Sequence, residues 1–233
     1  MKHKCLSIEH LKGLACIAML LDHIGATVYP WMALRAIGRI AFPLFCFALC
    51  QGFYHTRNNR KYLLRLGLCA VITEPFFDLL FYGGFTFAGQ NVLLTLFLGL
   101  VMAMLMEKVQ NPLCKLIVIV PFYFLAELLR TDYAGAGILT VALFILTYNK
   151  RGALLLQTAG LLLIQLYMDS VVIRHWGVPI PLQLFAMGAM APIALYSGKR
   201  LTKSRALQWT FYLFYPVHMA LLLLVIKICG NPL

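Results

Sequence analysis

Within a chain of 233 residues that is mostly apolar, a few ionisable side chains stand inside hydrophobic runs, and these are the residues equipped for chemistry. Asp22 and His23 lie late in the first run. Arg35 and Arg39 are spaced i,i+4 in the next, as are Glu74 and Asp78, and Asn91 and Thr95; Tyr215 and His218 are spaced i,i+3. Side chains three, four or eleven residues apart share a helical face, so each pair acts in one direction and Lys12 stands on the face of His23. An imidazole titrates near neutral pH and takes a proton from an attacking hydroxyl or amine, which makes His23 the candidate general base. Arg39, with Arg35 one turn away, is the candidate donor to a developing oxyanion or an anionic ligand. Asp22 points about 100° away from its neighbour His23 on a helix, so it is expected to pair with another helix. Glu74 joins His23, Arg39 and Asp22 as a candidate catalytic residue. It precedes Pro75, whose ring breaks the helical ladder and frees carbonyls that only polar groups or water satisfy. Asp78, Asn91, Asp132, Tyr215 and His218 are candidates for holding a substrate.

What must position these groups is helix in lipid. With 62% hydrophobic residues and a mean hydropathy of +0.84, the chain has too little polar surface to coat a soluble globule, so its solvent is the bilayer. Cuts at charged and turn-rich breaks leave about nine runs of spanning length. They are Ile8 to Tyr29, Ala33 to Tyr54, Lys61 to Tyr82, Gln90 to Lys108, Pro112 to Leu129, Tyr133 to Tyr148, Gly152 to Met168, Pro179 to Tyr196 and Ala206 to Ile228. The expected fold is an all-α polytopic transmembrane helical bundle, one domain over residues 1–233, without an inverted repeat of the kind that marks many carriers. Lys2 and Lys4 before an apolar run resemble a secretory signal. That run is too long, holds Asp22 and His23, and lacks a small-residue cleavage site, so the first helix is expected to remain.

Loop charges set the orientation. Lys2, Lys4, Arg57, Arg60, Lys61, Lys108, Lys115, Lys150, Arg151, Lys199, Arg200, Lys203 and Arg205 fall on one side, against Arg130, Arg174 and Lys227 on the other. Cytoplasmic loops retain Lys and Arg, so the chain is expected in the cell membrane with the N-terminus inside and the C-terminus outside. Tyr29, Trp31, Trp176 and Trp209 read as interfacial anchors. The net charge of +12 is spread through short loops, which excludes a nucleic-acid partner. The seven cysteines lack metal-ligand or disulfide spacing, and no metal is expected. At about 1.5 Å per residue, His23 lies about 22 Å along the first helix, Glu74 about 20 Å along the third and His218 about 18 Å along the ninth. Arg39 lies about 9 Å below the outer edge, so the four groups share one layer of the outer half. Asn91 and Thr95 open the fourth span from that side, and Asp132 sits at the mouth of the sixth.

The stretches LKGLACIAMLLDHIG, GRIAFPLFCFALCQGFYHTRN, ITEPFFDLLF, QNVLLTLFLGL, DYAGAGIL and FYLFYPVHMALLLL together resemble the TraX family, whose namesake acetylates pilin subunits. The resemblance spans nearly the whole chain. A basic residue, ten intervening residues and a histidine, here Lys12 to His23, also resembles the first-helix motif of acyltransferase family three, with Lys at the usual Arg position. These resemblances imply acetyl-CoA as acyl donor, bound from the cytosolic side, and an acceptor presented from the opposite side as a peptide amine or a sugar hydroxyl. On that basis Lys12, Arg35, His55, Arg57, Arg60 and Lys61 are the candidates for binding the donor, whose phosphates suit Lys and Arg.

Other roles suit the same residues. Arg35 and Arg39 with Glu74 and Asp78 form a plausible ion-pair lock between the second and third spans. His23 suits interhelical hydrogen bonding without chemistry. Arg65 is expected to snorkel to the interface. A proton-coupled transporter and a structural membrane subunit use the same residue types, and composition excludes neither.

Overall fold

The computed structural model describes residues 5–168, 172–175, 178–202 and 204–229; Lys2, Lys4, Trp176 and Lys203 lie outside the described residues. Helix α1 (Ile8–His23) opens on a capping box, in which Ser7 Oγ accepts from the His10 N–H at 3.3 Å and His10 Nδ1 accepts from the Ser7 N–H at 3.1 Å. It runs on into a π-helical turn, Ile24–Val28. Helices α2 (Met32–Gly38) and α3 (Ala41–His55) follow, then α4 (Asn59–Tyr82), α5 (Val92–Glu107), α6 (Pro112–Leu128), α7 (Ala134–Leu146) and α8 (Ala153–Tyr167). After them come an antiparallel hairpin, β1 (Val172–His175) with β2 (Val178–Pro181), a 3-10 segment Leu182–Ala189, α9 (Met190–Ala194) and α10 (Arg205–Ile228). Asn58, Asn91 and Asn111 cap α4, α5 and α6 by accepting from Lys61, Leu93 and Leu113 N–H groups at 2.8 to 2.9 Å.

The structure is nearly all α-helical, and two of the expected runs are not single unbroken helices, although the first of them, Ala33 to Tyr54, still lies within a stretch, Met32–His55, of spanning length. The run Ala33 to Tyr54 is not one helix: it breaks at Arg39 and Ile40. Pro43 has no N–H to bond the Arg39 carbonyl and its ring excludes that carbonyl from a continuous ladder, while Gly38 favours the break. The run Pro179 to Tyr196 is not one helix either. Pro179 and Pro181 cannot donate to a helical ladder and bias Val178 and Ile180 toward extended backbone, so this segment enters a two-stranded ribbon before its 3-10 turn.

Among the described residues, three helical stretches are long and apolar enough to cross a membrane: Ile8–Val28, Met32–His55 and Ala206–Ile228. The outward faces are apolar too. On α4 Leu64, Leu68, Val71 and Ile72 are exposed, Val71 by 72%, and on α6 Leu113, Ile117, Val120 and Phe124 are exposed. Apolar stripes turned outward at helical spacing suit lipid rather than water.

The chain divides into two compact units, Met1–Ala48 with Asn149–His218, and Leu49–Tyr148 with Met219–Leu233. In the first, Leu11, Ala15 and Met19 of α1, Leu44 of α3, Leu161 of α8 and Ala186 of the 3-10 segment are buried. In the second, Leu100, Met102 and Ala103 of α5 and Ile138, Val141 and Phe144 of α7 are buried. Gly99 brings α5 against α7, since a Cβ there would stand 2.9 Å from Val141 Cγ2.

Candidate functional site

In the first unit, the last turn of α1 delivers Asp22 and His23 to two different neighbours. Asp22 meets α2 and the break after it: its Oδ2 accepts a hydrogen bond from Arg39, and Arg35 Nε lies 3.5 Å from its Oδ1. Arg39 Nε also donates to the Arg35 carbonyl at 3.4 Å, so the break in the helix is tied back on itself. Two guanidinium groups therefore share one carboxylate. Arg39 is buried. The close approach depends on glycine: a Cβ at Gly38 would overlap Asp22, and one at Gly25 would stand 2.8 Å from Leu34 Cβ and 3.1 Å from the Trp31 carbonyl oxygen.

His23 faces the other way, onto α10. Its Nδ1 is 2.7 Å from Nε2 of His218, with the ring centroids 4.9 Å apart and the ring planes within 18° of parallel. Tyr215 stands edge-on to His23 at 6.1 Å and to His218 at 5.5 Å. His23, His218 and Tyr215 are all buried. The π turn that follows is fastened to this point, because Thr27 Oγ1 donates to the His23 carbonyl at 2.8 Å. Lower on α1, the half-buried Lys12 ammonium lies 5.6 Å over the Phe211 ring of α10. Lys12 matched to Phe211, and His23 matched to His218, makes α1 and α10 parallel.

A separate polar cluster occupies the second unit. Asn91, fully buried, donates from its side chain to Glu74 and, at 2.9 Å, to the Ala70 carbonyl; its backbone N–H donates to Glu74 Oε2 at 3.2 Å. The Ala70 carbonyl lies one residue from that of Val71, which Pro75 leaves without its helical donor. Asp78 Oδ2 accepts from the Thr86 N–H at 3.2 Å. Among the described residues, nothing hydrogen-bonds the buried oxygens Glu74 Oε1 and Asp78 Oδ1. Thr95 Oγ1 donates to the Asp132 carbonyl, and the Asp132 N–H donates to the Gln90 carbonyl at 2.8 Å; the residue is exposed. At the junction of α3 and α4, Arg57, Arg60 and Lys61 are exposed. His55 Nδ1 is 2.9 Å from the Gln51 carbonyl, beside Tyr148, which stacks on Tyr54 at 3.8 Å.

The structure thus gathers Asp22, His23, Arg35, Arg39, Tyr215 and His218 in one unit with Lys12 below them. It gathers Glu74, Asp78, Asn91 and Asp132 in the other, which also carries His55, Arg57, Arg60 and Lys61. Sequence reasoning did not pair His23 with His218, nor see Gly38 as the point of contact. The signal for the first was their similar depth; for the second, a glycine one residue before a buried arginine. Among the described residues, no three His, Cys, Asp or Glu side chains are grouped to hold a metal ion.

A nearly all-α chain with apolar outward faces, and polar side chains buried against one another within each unit, defines a membrane-type helical protein. The chain belongs to the TraX family: the family model described as TraX protein matches residues 7–226. It is 34% identical over 235 residues to the probable fimbrial assembly protein FimC, serogroup H1, of Dichelobacter nodosus, covering 93% of this chain and 94% of that protein. An uncharacterized protein of Rickettsia prowazekii (strain Madrid E) is 39% identical over 90 residues, 38% of this chain and 33% of its own length. No solved structure matches the chain.

Proposed function

We propose that the chain is an integral membrane acetyltransferase, related to acyltransferase family three, that moves an acetyl group from cytosolic acetyl-CoA to an amine or hydroxyl presented at the extracytoplasmic side. The observation that carries this reading is the buried base: His23 stands in one unit with a carboxylate bridging two guanidinium groups, at the end of a helix long enough to span a bilayer. The FimC relative's name, fimbrial assembly protein, favours a pilin-like acceptor. The family match runs through both compact units, which supports treating residues 1–233 as one functional domain. Parallel α1 and α10 agree with an N-in, C-out chain whose first and last spans cross in the same direction.

In this reaction the acceptor's lone pair attacks the thioester carbonyl carbon while its proton passes to His23. The oxyanion that forms faces Arg39, held in place by Asp22, and the guanidinium stabilises it as a cationic donor. Collapse breaks the carbon–sulfur bond; the departing sulfur takes the proton back from His23, leaving free CoA thiol and an acetylated acceptor. For the donor's phosphates and arm, Lys12 and Arg35 are the proposed groups of the first unit and His55, Arg57, Arg60 and Lys61 those of the second. For the acceptor, Tyr215 and His218 are the proposed groups of the first unit and Asp78, Asn91 and Asp132 those of the second, which also holds Glu74 as a further proposed catalytic residue. The test is to incubate the detergent-purified protein with acetyl-CoA and peptide-amine or glycan acceptors, reading free thiol and acceptor mass. Thiol release matched by acetylated acceptor supports the reading; no CoA binding and no thiol release contradict it.

A further inference from the structure

His218 has both ring nitrogens engaged, and the two contacts together determine where the hydrogens lie. Its Nδ1 is 2.8 Å from the carbonyl oxygen of Phe214, and its Nε2 is 2.7 Å from Nδ1 of His23. A carbonyl oxygen only accepts, so Nδ1 of His218 carries a hydrogen. In a neutral imidazole the other nitrogen is then bare, so Nε2 of His218 accepts and the hydrogen between the rings belongs to Nδ1 of His23. The lone pair of a neutral His23 is thereby assigned to its Nε2. This hydrogen-bonded series runs from the backbone of α10 through His218 to the base, and no freely rotating group interrupts it. His218 is itself fixed: the Phe214 ring stacks on it at 4.9 Å and 19°, and Tyr215 stands edge-on.

We propose that His218 is a positioning residue for His23, and this rests on the assignment of His23 as general base. It holds the imidazole in the tautomer whose Nε2 takes the acceptor's proton, and it fixes the plane of the ring. When His23 becomes an imidazolium, its Nδ1–H still donates to His218 as a charge-assisted bond, so the same contact stabilises the state that forms during transfer. A neutral imidazole here does what a carboxylate does for the histidine of a hydrolase triad. It does so without placing a second buried negative charge near Asp22.

Two variants separate this role from packing. His218→Phe keeps an aromatic ring and removes the acceptor; His218→Gln places an amide oxygen where it accepts from His23 Nδ1. Acetyl transfer by His218→Phe is expected to fall in kcat by about 100-fold or more, with KM for acetyl-CoA within about threefold. His218→Gln is expected to recover at least about tenfold of that loss. Nitrogen NMR of histidine-labelled protein, with the His23 signals identified by their loss in His23→Ala, is expected to show Nδ1 protonated and Nε2 bare, and mixed tautomers in His218→Phe. A His23 protonated on Nε2 in the parent protein, or equal kcat and an unchanged tautomer in His218→Phe, overturns the proposal. The stated tautomer without acetyl transfer in any variant contradicts the base assignment alone and leaves the positioning of His23 by His218 standing.

Discussion

Gly38 lies directly against the side chain of Asp22, with no room between them for even a methyl group. That contact lets α2 approach α1 closely enough for Arg35 and Arg39 to reach one carboxylate. Gly38→Ala is therefore expected to push the helices apart, costing about 1–3 kcal/mol of stability. Acetyl transfer should fall at least about tenfold, as it does when a catalytic group is displaced by an ångström. Thermal melting in detergent and a thiol-release assay read the two effects; a variant equal to the parent in both would show that the close approach is dispensable.

Asp22 and Arg39 are expected to behave as a coupled pair. Asp22→Ala leaves two buried or half-buried guanidinium groups without their carboxylate, and Arg39→Ala removes the closer of the two partners, each change costing about 3–5 kcal/mol. The double variant should be less destabilised than the sum, by about 0.5–3 kcal/mol of coupling, yet remain inactive because the oxyanion donor is gone. Arg39→Lys should fold and still lose activity, since an ammonium does not reproduce the guanidinium fork. A double-mutant cycle with strictly additive losses would remove the pairing.

In the second unit Asn91 caps α5 and bridges it to Glu74 and the Ala70 carbonyl of α4. Asn91→Ala should cost about 2–4 kcal/mol, combining a lost helix cap with buried groups left unmatched. Asn91→Asp should be worse, because its carboxylate faces that of Glu74. Unfolding in graded denaturing detergent orders the parent, Ala and Asp forms, and an unchanged midpoint for Asn91→Asp would contradict the contact.

Three native cysteines report topology. Cys5, Cys114 and Cys229 are exposed, while Cys16, Cys46, Cys50 and Cys69 are buried. On the proposed N-in, C-out orientation, a membrane-impermeant maleimide added to intact cells should label Cys229 and spare Cys5 and Cys114 until the membrane is opened. Labelling of Cys5 from outside would invert the orientation.

Much of this arrangement is legible in the sequence because it is local. The apolar runs, the polar breaks and the asparagines before α4, α5 and α6 fix helix positions to within a few residues, as apolar periodicity and capping chemistry allow. The divergence of Asp22 from His23 follows from the helical turn alone. The break at Arg39 is less legible, because Gly38 and Pro43 signal a kink without saying which side chain it delivers. The ribbon at Val172–His175 and Val178–Pro181 was hidden by an apolar run that suits either a buried helix or strands. The contact between His23 and His218, 195 residues apart, lies beyond periodicity. Depth estimates place both imidazoles in one layer, but only the packing of α1 against α10 turns one toward the other.

The most direct measurement uses proteoliposomes loaded inside with labelled acetyl-CoA and given a membrane-impermeant amine-bearing peptide outside, with protein inserted N-terminus inward. The account predicts acetylated peptide outside, free CoA thiol retained inside, and loss of both when His23 is replaced by Ala in a protein that still inserts and melts like the parent. Undiminished transfer by the His23→Ala protein, or acetylation only when donor and acceptor share a side, would contradict it.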